Sequence, residues 1–295
     1  MEGTRRSLEA AAGAATVVLW SSGVVYGAHP GNPVPIPETH PTRPNPEFPA
    51  AGSLAETEQI ALAAGNPRSP AEAGRVALEP AAGNGSGPAV VVLRGAGVWA
   101  PAWGTFLART LMAPAMVGVK GQDPPLQCLA PADAVSALAL AASGRLRGVY
   151  NVAPDDWVGA REAARAAGRR RLEVSQRVAQ ATAERLWRAG GPAATAGELS
   201  YQLHPWVLDN TRLRQAGWAP TRSSAEAFAE AGAQVPDGVL VGGVQVRRSD
   251  VYRGAAAGLA LAAAVAVARR QARAARSARP ATRRPAPGRR PPGAM

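Results

Sequence analysis

A single cysteine, Cys128, stands in 295 residues, which excludes an intramolecular disulfide and suits a reducing compartment. Histidine is nearly as scarce. His29, His40 and His204 show no metal-ligand spacing, and with one cysteine beside them they argue against a metal site. Lysine is reduced to Lys120 while arginine and alanine abound, a bias that reads as a GC-rich coding sequence and not as a functional choice. The opening Met1-Glu2-Gly3-Thr4 is polar and lacks a basic segment followed by an apolar one, so no secretory signal is expected and the chain reads as cytoplasmic. Apolar runs of membrane-spanning length are missing too. Gly254–Ala268 has 15 residues, rich in alanine and glycine, short of the ~20 that cross a bilayer.

What is present suits one sizeable core with an appendage. Hydrophobic residues make 46% of the chain and charged residues 18%, within the range of globular proteins. The net charge of +12 suggests a polyanion partner until it is located. From Arg269 onward nine arginines occur without one acid, and subtracting those nine from +12 leaves +3 for the rest. The basicity therefore belongs to a tail, and any nucleic-acid binding through it would be nonspecific and salt-sensitive. No aromatic interleaves with these arginines, so base stacking has no support and no specific nucleic-acid partner is expected.

Periodicity organises the remainder. Leu8, Ala11, Ala12 and Ala15 share one face of a helix expected over Met1–Ala15. Val17–Trp20 and Ala89–Leu93 are short, continuous, β-branched runs of the kind that fill a parallel sheet covered on both faces. Proline-rich His29–Phe48 is expected as an ordered loop over the sheet edge, and Ser53…Glu56 has capping-box spacing for a helix running to about Ala64. Gly65–Gly87 reads as a surface connection. Further helices are expected over Thr105–Met112, Ala132–Ala142 and Val158–Ala167, with strands at Met116–Lys120 and Val149–Val152. Val174–Arg188 reads as an amphipathic helix with Val174, Val178, Ala181 and Leu186 inward. Gly242-Gly243 between Val239–Val241 and Val244–Val246 predicts a hairpin.

The string Ser21-Ser22…Val25-Tyr26-Gly27 after a buried strand carries the most information. It is followed by Pro35-Ile36-Pro37-Glu38, by Pro44 and then by a helix start. Together with Leu93-Arg94, Val149–Val152, Asp209–Arg214 and Gly217-Trp218-Ala219-Pro220, in that order, it resembles the NAD-dependent epimerase/dehydratases of the extended short-chain dehydrogenase/reductase family. The resemblance implies an α/β fold, a Rossmann-like parallel sheet with helices on both faces. The sheet is expected to lack its first strands and to carry a small C-terminal substrate subdomain. The resulting division is an epimerase/dehydratase-like domain over 1–235, a hairpin over 236–252, an apolar helix over 253–268 and a disordered Arg/Pro-rich tail over 269–295.

The resemblance also implies chemistry, and the residues depart from it. Family members place a catalytic Ser or Thr where Ser22 stands and a Tyr-x-x-x-Lys pair on the next helix, whose positions here fall on Ala50 and Leu54. A phenol ionises near pH 10 unless a cation lowers it, and the Lys four residues on supplies that charge. No Tyr or Lys occurs in Glu47–Glu58, so impaired catalysis is expected. Glu56, Glu58 and His29 could in principle serve as substitute bases, but they read better as solvated or capping groups. Ser22 is either the catalytic position or a hydroxyl capping a strand end. Tyr26 and Arg94 are candidate substrate-binding residues, Arg94 because the family's Leu-Arg-Pro segment borders the substrate pocket.

NAD(P) is the implied cofactor, although the glycine-rich turn that holds it has no counterpart before Ser21. Gly95-Ala96-Gly97-Val98-Trp99-Ala100 imitates Gly-x-Gly-x-x-Ala but lacks the acid about 20 residues on. A nucleotide-sugar-like small molecule is the implied ligand, and a sheet short of strands suggests self-association. For 254–295 two readings stay open: peripheral attachment to an anionic membrane surface, or a helix packed on the domain with a disordered tail.

Overall fold

The computed structural model describes residues 2–11, 13–65, 88–100, 105–113, 115–181, 196–236, 238–241 and 244–247. The chain divides into two units, Met1–Pro236 and Asp237–Met295. In the first, helix α1 (Glu2–Ala10) leads into strand β1 (Thr16–Ser22), a 3-10 turn (Gly23–Tyr26) and helix α2 (Pro49–Gly65). Strands β2 (Ala89–Gly95) and β3 (Gly97–Val98) follow, then α3 (Phe106–Met112) and β4 (Met116–Val119). Short strands β5 (Pro125–Leu126) and β6 (Cys128–Leu129) precede α4 (Pro131–Ala142), β7 (Gly148–Val152), β8 (Val158–Gly159), α5 (Ala160–Ala166) and β9 (Arg171–Val174).

The central sheet is parallel, in the order β1-β2-β7. Side chains alternate along each strand. Val17, Leu19, Val90, Val92 and Val149 therefore face one way and pack with Leu8 of α1 and Ala61 and Leu62 of α2. Val18, Trp20, Val91, Leu93, Tyr150 and Val152 face the other way, against Ala134, Ala137, Leu138 and Ala141 of α4. Helices thus cover both faces, as a continuous apolar strand requires. The α/β parallel architecture is the expected one.

Several boundaries differ from the sequence reading. Helix α1 stops at Ala10, and α2 begins at Pro49, four residues before Ser53. Proline suits the first turn of a helix, where its missing N–H is no loss. Ser53 consequently lies inside the helix, where its carbonyl accepts from Thr57 Oγ1 at 2.8 Å. Val158–Gly159 is a strand paired antiparallel with Pro125–Leu126, so the helix there starts at Ala160. Arg171–Val174 is a strand parallel to β4, which removes Val174 from the expected helix. Residues 176–181 are helical, but Val178 is 52% exposed and Ala179 is the buried residue. The apolar face is rotated by one position because Ala179, being small, fits against Val119 and Leu199. Leu186 and Arg188 lie outside the described residues.

The second unit shows an antiparallel pair, β10 (Gly238–Val241) and β11 (Val244–Arg247), with Val241 opposite Val244. That is the expected hairpin. The readings of Gly254–Ala268 and of the arginine tail fall outside the described residues. Among the described residues no helix is long and apolar enough to cross a membrane.

The loop after β1 is drawn back over the sheet by polar contacts. Tyr201 Oη donates to the Val24 carbonyl at 2.7 Å, and Asn45 Oδ1 accepts the Ala28 N–H at 2.8 Å. Asn32 Nδ2 bridges the carbonyls of Gly27 and Pro205. Gly27 has φ +70°, and a Cβ there would overlap the Arg43 carbonyl and the His29 ring. Gly27→Ala should therefore lower unfolding free energy by about 2 kcal/mol or more, read by urea titration. A change under a few tenths would show that the loop relaxes freely.

Candidate functional site

The register of the sheet sets three polar side chains in one row near its carboxyl end. Ser21 pairs with Arg94, and Arg94 pairs with Asn151. All three sit in the core, with Arg94 3% and Asn151 0% exposed. Helix α2 supplies the counter-charge. Ala51, Ala55, Glu58 and Ala61 form its buried stripe, so Glu58 arrives on the sheet-facing side by helical spacing. Arg94 Nε and Nη2 donate to Glu58 Oε2 at 3.0 and 2.6 Å, and Ser21 Oγ donates to Oε1 at 2.5 Å.

Tyr26 completes the cluster from the turn after β1. Its hydroxyl accepts from Arg94 Nη1 at 2.8 Å and donates to Asn151 Oδ1 at 2.9 Å, and the guanidinium carbon lies 4.7 Å from the ring centroid. Burial pushes the Tyr26 phenol up to about 12, against the opposing pull of Arg94. The phenol is therefore held protonated, which is the reverse of what acid/base work near neutrality needs. On the far side of the row, the Asn151 N–H donates to Glu38 Oε1 at 2.9 Å, and Asn151 Nδ2 donates to the Ile36 carbonyl. Burial raises the Glu38 carboxyl above its ordinary value of 4.5.

Tyr26 and Arg94 are thus brought together, as neighbours inside the core. Ser22 ends β1 one residue beyond the row, half-buried, with Oγ accepting the Val24 N–H at 3.4 Å. An accepting hydroxyl keeps its own proton to donate. Ala50 is exposed in the first turn of α2, and Leu54 packs against the main apolar cluster. Glu58 is 2% exposed, which corrects its reading as a solvated or capping residue, whereas Glu56 is exposed. His29 Nε2 lies 2.8 Å from the Arg43 carbonyl. Sequence reasoning missed Glu58, Ser21 and Asn151 as a unit. The available signal was an acid on an apolar helix stripe and a base in a fully apolar strand, each needing a partner.

The Gly95–Ala100 segment is defined by its neighbours. Gly95-Ala96-Gly97 links β2 to β3, and the Ala96 N–H already donates to the Val152 carbonyl at 2.9 Å. A Cβ on Gly95 would meet the Trp20 indole. Among the described residues the segment runs on into strand β3 and not into a helix N-terminus that could receive a pyrophosphate, so it does not fit one. Asp133, in the first turn of α4, is fully buried and engaged by the chain itself. Its carboxylate accepts the N–H and hydroxyl of Thr221 and the N–H of Arg222. Among the described residues no group of three His, Cys, Asp or Glu converges to hold a metal.

Four variants test this network. Arg94→Ala should destabilise the fold by about 3–5 kcal/mol, since Glu58 is left as an unpaired buried charge, and Arg94→Met/Glu58→Leu should recover most of that loss in denaturant titrations. Equal losses in the two would contradict a buried ion pair. Glu38→Ala strips the acceptor from a buried N–H and should cost about 1–3 kcal/mol, while Glu38→Gln keeps it. Because the folded carboxyl titrates above 4.5, its favourable contribution is complete below that pH and fades as pH rises through the folded value. Glu38→Gln should therefore gain on the wild type as pH rises, and a gain at low pH only would reverse the assignment.

No protein-family model matches the chain. It is 31% identical over 215 residues to uncharacterised proteins of Mycobacterium tuberculosis and Mycobacterium bovis, covering 72% of this chain and 52% of theirs. The chain thus spans about half the length of the curated relatives it matches. Among solved structures it is similar to a UDP-galactose 4-epimerase, with 21% identity and a TM-score of 0.51 over 78% of this chain and 66% of that one. It is likewise similar to the Thermus thermophilus UDP-glucose 4-epimerase in complex with NAD, at 22% identity and TM-score 0.52, covering 79% and 70%. A dTDP-glucose 4,6-dehydratase of Streptomyces venezuelae with NAD bound gives 19% and 0.53, covering 79% and 64%. At these identities the likeness is one of fold: the first unit has the Rossmann-type α/β architecture that nucleotide-sugar epimerases and dehydratases share.

Proposed function

We propose that the chain is an NAD-dependent epimerase/dehydratase-like protein that retains a pocket for a nucleotide-sugar-like molecule and is impaired in catalysis as this polypeptide. The observation that carries this is Ser22 at the carboxyl end of β1, in a parallel sheet of the fold shared with the sugar-nucleotide enzymes. Ligands of such sheets bind outside the carboxyl ends of the strands, and Ser22 is a hydroxyl poised there. Tyr26 and Arg94 support the pocket from behind, because their polar atoms are engaged with Glu58 and Asn151.

Impairment rests on α2. With Ala50 and Leu54 at those two positions, neither the phenol nor the ammonium that tunes it is available from that helix. Positioned acid/base catalysis alone is worth roughly 10²–10⁴-fold. The Gly95-Ala96-Gly97 segment, with the Ala96 N–H engaged by Val152 and Gly95 against Trp20, does not fit a pyrophosphate.

The test is the 295-residue chain incubated with UDP-glucose and NAD, followed by chromatography of the sugar nucleotide and absorbance of reduced cofactor. We expect no turnover above background, together with saturable calorimetric binding of UDP-glucose that Ser22→Ala weakens. Turnover abolished by Ser22→Ala would overturn the impairment. Absence of any nucleotide-sugar binding would overturn the pocket.

A further inference from the structure

The chain has three histidines, and the fold gathers all of them in one place. His29 and His40 lie on the proline-rich loop after the turn Gly23–Tyr26, and His204 lies on the segment to which that loop is pinned. All three are half-buried. Asn32 Nδ2 donates to the Pro205 carbonyl at 3.0 Å, the Ile36 N–H donates to the Val207 carbonyl at 2.8 Å, and the Asp209 N–H donates to the Ile36 carbonyl at 2.9 Å. Within the loop the His29 ring is a brace. Its Nε2 lies 2.8 Å from the Arg43 carbonyl, and because a carbonyl only accepts, Nε2 carries a proton there.

No acid answers these imidazoles. Burial first, then the charges of Arg43 and His29, hold His40 below its ordinary 6.5, and burial with the charge of His29 does the same to His204. Tyr26 faces the His40 ring with centroids 6.1 Å apart, and its phenol stays neutral. The acids on the two segments are committed elsewhere. Glu38 accepts the Asn151 N–H, Asp209 accepts from Thr211, the charge of Glu198 bears on Tyr201, and Glu47 is exposed. Among the described residues no carboxylate forms an ion pair with a histidine.

We propose that the His29–His40–His204 cluster makes the loop an acid-released latch, in which protons taken up by the imidazoles lift residues 29–45 off the segment 204–209. The latched form would set like charges beside Arg43 with no carboxylate to answer them, whereas in the released loop each imidazole is hydrated and charges freely. A base held low in the folded state contributes stability above its ordinary value, and that contribution is lost as pH falls below 6.5 towards the folded value. Glu38 works the other way, since burial raises its carboxyl and acidification favours its folded form. Loosening between about pH 7.5 and about pH 5 therefore belongs to the histidines. The latch stands whether or not a nucleotide sugar binds beside Ser22.

The full chain is followed by amide hydrogen exchange at about pH 7.5 and about pH 5, corrected for the intrinsic pH dependence of exchange. The Ile36, Arg43 and Asp209 amides bond across the latch or within it. We expect them to lose protection about fivefold or more at the lower pH, while the Val91 and Val92 amides of β2 keep theirs. His40→Gln/His204→Gln removes two imidazoles and leaves the His29 brace, so the loop amides should stay protected at both pH values. The imidazole proton resonances of the wild type give a reading that needs no variant: those of His40 and His204 should titrate below 6.5. Loop protection that does not change with pH overturns the proposal. So does a loss that persists in the double variant, or one that spreads equally to Val91 and Val92 in the wild type. Imidazole midpoints at or above the ordinary value overturn it as well.

Discussion

The buried pair Arg94–Glu58 is the constraint on which the rest of the first unit turns. An arginine near the carboxyl end of an otherwise apolar, fully covered strand carries a desolvation cost of several kcal/mol, and so does the acid that meets it. The cost is offset only if every polar atom nearby is matched. Ser21 Oγ takes one edge of the carboxylate, Arg94 takes the other, and Tyr26 closes over the guanidinium face while passing a hydrogen bond to Asn151. Each contact demands a fixed register: β1 against β2, β2 against β7, and α2 at one rotation about its axis. A hydrophobic core alone would tolerate a slip or a turn of the helix far better.

The same pair decides how the turn after β1 can be used. A tyrosine directed into that cluster is desolvated, and its phenol rises to about 12. It stays a hydrogen-bond donor and does not act as a base. The residue left at the strand end with a hydroxyl near the carboxyl side of the sheet is Ser22, whose Oγ helps cap the turn. On α2, Leu54 lies one helical turn before Glu58 and joins the apolar cluster, where a resemblance to the epimerase/dehydratases would put an ammonium. The helix keeps its structural acid at Glu58, and its other positions facing the turn are apolar.

Much of this was legible before any coordinates. The runs Val17–Trp20 and Ala89–Leu93, continuous and β-branched, announced strands covered on both faces, and the helices between them follow from that. Boundaries were less legible where a local signal competed with another. Ser53…Glu56 has the spacing of a capping box, but Pro49 starts the helix earlier and buries the signal within it. Val174 carries helical spacing with Val178, yet Arg171–Val174 finds a parallel partner in Met116–Val119, and a pairing partner distant in sequence leaves no local trace.

By itself the sequence determined the strands covered on both faces and the helices flanking them, because these rest on short-range periodicity, while the fold family and the candidate Ser22 rested on the resemblance carried by Ser21-Ser22…Val25-Tyr26-Gly27. It also determined that α2 lacks a phenol and an ammonium. Only the tertiary structure decided that Ser21, Arg94 and Asn151 form one row, that Glu58 answers them, and that Tyr26 is locked inside. Those contacts join residues 36 to 125 positions apart, and which of many polar side chains meet across such distances is set by sheet register and helix rotation. For the same reason, only the assembled sheet reveals that the outer N–H of Asn151 on β7 is met by Glu38.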